Sequence, residues 1–238
     1  MCGRYSVLTE DEIIEIRAML HDMSLRLVRD DFADYEAPPG EIVPTLQSPV
    51  VTKNKDGMAF EYATFGFKKW DGKGMIINAK SETLRKPGNY FTAKYNLGRA
   101  FVPAREYYEW QNPDALDDDA ADNSLKPPKK KAKKIKHRVA DKDGNLLFFA
   151  ALTHETGNGL EFIIVTKEPA GEIADKKIHN RMPVILRMDQ LEPWLTGALT
   201  YTDVISMDFN ASAYPCIENS VGERECAEEQ LSMFRDDE

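Results

Sequence analysis

Short apolar, aromatic-rich runs recur along this chain, and they limit its architecture more than any other feature. They fall at Phe60–Phe67, Ala100–Val102, Tyr107–Trp110, Leu146–Leu152, Phe162–Val165 and Pro183–Leu186. Each is strand-length, and none approaches the roughly 18 apolar residues of a membrane span. Helical patterning is confined to a few places. Thr9–Leu20 reads as a first helix, with Thr9 and Glu12 in capping-box spacing and Ile13, Ile16 and Leu20 on one face. Pro169–Lys177 and Asp189–Leu195 read as short helices, the second with Asp189 as its N-cap. The prolines of Tyr35–Gly40 make that stretch a turn. Strands outnumber helices and do not alternate with them regularly, so the order predicts an α+β domain built on an antiparallel or mixed sheet.

With 238 residues, 42% of them hydrophobic, the chain is expected to form one soluble domain over residues 1–238. One stretch breaks the pattern. Residues 112–138 are acidic from Asp114 to Asp122 and lysine-dense from Lys126 to Arg138, which predicts an exposed charged insertion between two strands. A solvated loop, a contact to the DNA backbone and a nuclear localisation signal all fit that composition. The N-terminus has no basic region followed by an apolar one, so an intracellular location is expected. Three cysteines without metal-ligand spacing predict neither disulfides nor a metal site. A net charge of -9 argues against nucleic-acid binding unless Arg and Lys gather in one groove.

Cys2 carries the most chemistry. If Met1 is removed, an α-amine and a thiol stand on adjacent carbons, and such a 1,2-aminothiol condenses with an aldehyde to a thiazolidine. A buried or incidental cysteine is the bland alternative. Arg4 is near enough in sequence to supply charge at the thiol or to hold a phosphate. In YYEW, alternation puts Glu109 on the face opposite Tyr108 and Trp110, where desolvation would raise its pKa and suit it to proton transfer. His179, in IHNRMPV, sits in a loop between a helix and a strand with Arg181 two residues on, and reads either as a proton donor or as a structural histidine. Asn78, in INAKSET, is either a site amide or a turn residue.

Taken together, MCGRY, INAKSET, GRAFVPAREYYEW preceded by Phe91, IIVT and IHNRMPVIL resemble the SRAP family, the SOS response-associated peptidases that process abasic sites. The likeness covers most of the chain from Met1 to Leu186. It implies an autopeptidase that removes its own Met1 and then cross-links Cys2 to an abasic deoxyribose in single-stranded DNA, with a lyase-like reversal. It also implies the family's α+β fold, a mixed, largely antiparallel β-barrel-like core with peripheral helices, and catalytic roles for Cys2, Asn78, Glu109 and His179. Arg4, Lys80, Thr166 and Arg181 would contact DNA; Trp70, just before Asp71 in a loop-like stretch, is a further candidate for stacking on the strand, and no cofactor or metal is expected. The chain departs from the family pattern at Lys80, where arginine is common, and at Glu36, where an amide is common. A monomer is expected, without membrane partners, at the nucleoid in a bacterium or the nucleus in a eukaryote.

Two other readings compete. An N-terminal-nucleophile glutamine amidotransferase also begins Met-Cys-Gly and would use Cys2 against a side-chain amide. A non-catalytic single-strand binder would stack bases on Trp70, Tyr107 and Trp110 and hold phosphates with Arg99, Arg105 and Arg181.

Overall fold

The computed structural model describes residues 2–113, 133–205, 211–218 and 224–226. In chain order the strands and helices are β1 (Tyr5–Ser6), α1 (Glu10–Asp22), β2 (Leu27–Asp30), β3 (Glu41–Ile42), β4 (Gln47–Lys53), β5 (Met58–Phe65), β6 (Phe67–Lys68), β7 (Met75–Ile76) and β8 (Asn78–Lys80). There follow α2 (Ser81–Leu84), α3 (Tyr90–Lys94), β9 (Leu97–Ala104), β10 (Glu106–Gln111), β11 (Ile135–Asp141), β12 (Leu147–Thr156) and β13 (Gly159–Lys167). The last are α4 (Gly171–Asp175), β14 (Met182–Pro183), α5 (Met188–Thr196), β15 (Ala211–Glu218) and β16 (Arg224–Cys226).

Five strands close on themselves. β13 pairs with β12, β12 with β9, β9 with β4 and β4 with β5, all antiparallel, and a parallel β5–β13 contact through Glu161↔Thr64 and Phe162↔Phe65 completes the ring. Closure leaves these strands no free edge, which is why so many apolar runs can coexist without an aggregation-prone border. The short β8 adds to β13 in parallel register, Ile164↔Asn78 to Thr166↔Lys80. A second sheet runs β16-β15-β11-β10-β1-β3, with β1 paired on both sides.

Strand alternation sorts the core into two clusters. Val51, Phe101, Ala150, Leu152, Ile163 and Val165 join the apolar stripe of α1, Leu191 and Trp194 of α5, and Phe91 of α3. Val50, Val102, Phe149, Ala151, Phe162 and Ile164 join Cys2, Tyr5, Tyr107 and Val139 from the second sheet. Cys2 is thus fully buried where the barrel meets that sheet.

At the first helix Thr9 Oγ1 accepts from Glu12 N–H at 3.2 Å and Glu12 Oε2 accepts from Thr9 N–H at 2.9 Å, the reciprocal cap its spacing predicts. Three local expectations need correction. Asp189 is not the cap of α5: Gln190 Oε1 accepts the Arg187 N–H at 2.9 Å, so the cap lies two residues earlier, at Arg187, and Asp189 falls in the first turn. Helix α4 is shorter than Pro169–Lys177, because Ala170 is extended. Pro183–Leu186 is not one ladder. Val184 N–H donates to Val165 and Leu186 N–H to Phe148, so the segment passes from β13 to β12. As for the charged insertion, Ile135–Arg138 belongs to β11, paired along β10, while 114–132 lie outside the described residues.

A candidate active site at the buried N-terminus

Four chain regions meet at Cys2. Asn78 comes from β8, Glu109 from β10 and His179 from the loop between α4 and β14. Tyr107, Glu109 and Gln111 are the buried residues of β10, while Tyr108 and Trp110 are half-buried on its other face, as alternation requires. Asn78 Nδ2 donates to the Cys2 carbonyl at 2.8 Å, tying the chain's start to the barrel.

Glu109 is only 2% exposed, and burial raises its carboxyl pKa to about 7. His179 Nε2 lies 3.9 Å from Glu109 Oε2. The Arg181 N–H donates to His179 Nδ1 at 3.0 Å, so the neutral ring carries its proton on Nε2, facing Glu109. Burial lowers the pKa of His179. With a neutral imidazole and a carboxyl near half-protonation at pH 7, the two groups can pass one proton between them and a third atom. Burial, and secondarily the Glu109 charge, push the Cys2 thiol far up.

The cationic residues are placed less simply. Arg4 puts its guanidinium on the outer face of the second sheet, 2.9 Å from Glu41 and 5.3 Å from the Trp110 ring. What it offers the thiol is its backbone N–H, not its side-chain charge. Arg181 is 8% exposed and gripped by Glu82 through two 2.8 Å hydrogen bonds, with a third to the Thr166 carbonyl at 2.7 Å. Thr166 is fully buried at the β13–β8 seam. Lys80 is exposed at the end of β8. Trp70 is 64% exposed between β6 and β7, with Lys94 Nζ 4.6 Å from its ring centre. A cleft of about 510 Å³ opens beside His179, lined also by Trp110, Asn112, Lys134, Lys177 and Asn180.

The non-catalytic binder fails on three of its residues. Tyr107 is fully buried and cannot stack a base. Arg99 lies 4.5 Å from the Trp194 ring centre and 5.0 Å from that of Tyr201 and donates to the Trp194 carbonyl, while Arg105 is held by Glu12 at 2.6 Å.

With the geometry in place, comparison with known proteins is decisive, for the profile of the SOS response associated peptidase (SRAP) family matches residues 1–216. The chain belongs to the SRAP family. Two similar proteins are the abasic site processing proteins YobE and YoqW of Bacillus subtilis. YobE is 34% identical over 137 residues, 55% of this chain and 53% of YobE. YoqW is 29% identical over 220 residues, 86% of this chain and 84% of YoqW. The chain thus spans about half the length of YobE. Solved structures share the fold: a phage-related protein from Bordetella bronchiseptica has a TM-score of 0.62 at 23% identity, covering 90% of this chain and 93% of its own. A protein from Bacteroides thetaiotaomicron has a TM-score of 0.63 at 17% identity, covering 93% and 95%. The barrel with few peripheral helices is therefore the SRAP fold, and membership displaces the amidotransferase reading.

Two residues at this candidate site escape a reading of the sequence. Glu82 sits 99 positions from Arg181, and nothing local marks it as the partner. His137 lies directly across from Glu109 on β11 and is bonded through Nε2 to Gln111 at 2.9 Å, inside a stretch that reads as insertion. The Glu82 pairing has a measurable consequence. Hydrogen bonding from Arg181 lowers the Glu82 pKa from 4.5 to about 2. Its contribution to stability is therefore present above about pH 4.5 and lost as pH falls toward 2. Denaturant titrations from pH 2 to 6 should show a shallower acid limb in Glu82→Gln than in wild type; identical limbs would show the pair to be energetically idle.

Proposed function

We propose that this chain processes abasic sites in single-stranded DNA by covalent capture on Cys2, after hydrolysis of the Met1–Cys2 peptide bond. The supporting observation is the convergence of Cys2, Asn78 and the Glu109–His179 pair in one buried pocket. Family membership and the names of YobE and YoqW support the same reading.

In the proposed sequence, the freed α-amine attacks the C1′ aldehyde of the ring-opened sugar. The carbinolamine loses water, leaving a protonated imine. The Cys2 sulfur then bonds to C1′ as its proton passes to Glu109, and the C=N electron pair returns to nitrogen, closing the thiazolidine. Aldehyde and aminothiol give ring and water, with no redox change. Glu109 also opens the sugar and serves the hydrolysis that exposes Cys2, because a carboxyl titrating near 7 both gives and takes protons at neutral pH. Asn78 fixes the Cys2 backbone, so both nucleophiles arrive oriented. The exposed Trp70 and Lys80 offer a stacking surface and a point charge to the strand.

The test is a Met1-free preparation mixed with abasic or intact single strands: a heat-stable adduct is expected on the abasic strand alone, and its absence there overturns the proposal. His179 supplies the proton in both directions. His179→Ala should slow adduct formation and also release onto a competing abasic strand, each by about 10²-fold, the low end for a lost acid-base group because Glu109 remains. Wild-type rates in both directions from folded protein would make His179 structural.

A further inference from the structure

The site contains a hydroxyl that the scheme above leaves without a task. Tyr107 precedes Glu109 by two residues on β10, so both side chains leave the same face of the strand. The Tyr107 side chain is fully buried in the cluster that holds Cys2, its ring against Phe149 at 5.9 Å. Its Oη has no hydrogen-bond partner among the described residues. A buried phenol is ordinarily paired, since leaving it unmade forfeits its hydration for nothing. Phenylalanine would fill the same volume without that cost. The hydroxyl also lies within electrostatic reach of both Cys2 and Glu109, which after burial itself are the causes of its raised pKa.

Resting on the proposed capture chemistry, we infer that the Tyr107 hydroxyl is a positioning donor whose hydrogen bond is completed only when the Cys2 sulfur takes on negative charge during ring closure. The phenol keeps its proton. As the thiol proton goes to Glu109 and the sulfur pair forms the S–C1′ bond, the O–H···S contact stabilises the partial negative charge that sulfur carries. The burial that makes this thiol hard to ionise is the condition under which one preplaced donor has a large effect.

The test compares wild type with Tyr107→Phe, both verified free of Met1, on a single strand carrying an abasic site. Two signals are followed: the heat-stable adduct, which needs the sulfur, and the imine trapped by borohydride, which needs only the amine. In Tyr107→Phe, ring closure at neutral pH should slow by about ten- to a hundredfold, the worth of one hydrogen bond to a charged group. Its pH–rate profile should shift to higher pH while imine trapping keeps its wild-type rate. The melting temperature should stay the same or rise, because an unmet buried donor has been removed. Wild-type closure with an unshifted profile would overturn the inference, as would equal slowing of imine trapping or a lower melting temperature. If wild type itself forms no heat-stable adduct, the capture chemistry fails and not the role of Tyr107.

Discussion

Cys2→Ala is expected to form no heat-stable adduct with abasic single-stranded DNA while binding intact strands as wild type does. The expectation follows from the two bonds that close the ring. An N-terminal alanine retains an amine and can still reach a reversible imine, but it has nothing with which to make the second bond to C1′. The change is small enough not to disturb the fold: Cys2 behaves in the core as a small hydrophobe, and its position is fixed by a backbone contact, the Asn78 amide on its carbonyl. Loss of adduct with retained binding is read on one denaturing gel and one binding titration. An undiminished stable adduct would move the chemistry to another residue. Loss of intact-strand binding as well would mean that Cys2 organises the surface rather than the reaction.

For Glu109→Gln, adduct formation in Met1-free protein should fall by about 10²- to 10⁴-fold, the span associated with a lost general acid or base. Gln keeps the shape and removes the titration. A second signature lies in stability. The folded carboxyl titrates at about 7 against 4.5 when unperturbed, so between those values the folded state holds a proton that the unfolded chain has released. Wild-type stability should therefore decline as pH rises through 4.5 to above 7, by as much as about 3 kcal/mol for this group, whereas the Gln variant should lack that decline. Denaturation midpoints at pH 5 and pH 8 measure the difference directly. A rate near wild type would reassign Glu109 to structure even if the stability curve behaves as expected.

Much of this was legible in residue order. Alternation along YYEW places Glu109 inward, and the spacing of Thr9 and Glu12 fixes the first helix, because both depend only on neighbours a few positions away. The candidate site was legible as separate motifs, and their meeting at Cys2 depends on the parallel β8–β13 and antiparallel β1–β10 pairings. What the residues hide is which charges are already spent. Arg181 and Arg4 look equally available in sequence, yet one is buried in the grip of Glu82 and the other faces away from Glu109 over Trp110. Such commitments arise between residues tens of positions apart, where neither periodicity nor spacing carries information.

The two-sided pairing of β1 settles how far the reactive terminus can travel. Tyr5 is held in ladders with both β3 and β10, the Arg4 carbonyl accepts from the Tyr108 N–H at 2.9 Å and the Cys2 carbonyl from Asn78 Nδ2 at 2.8 Å, so the segment before Tyr5 is anchored as well as short. At about 3.5 Å per residue, that arm sweeps no more than roughly 10 Å. On the proposed chemistry, a nucleophile on so short a tether cannot search for damage; the DNA must bend or splay its sugar into a fixed receptacle. Lesions held rigidly inside a stacked duplex would then escape even at high protein concentration. Purification tags fused ahead of Met1 would crowd the same receptacle, so handles for this protein belong at the other terminus.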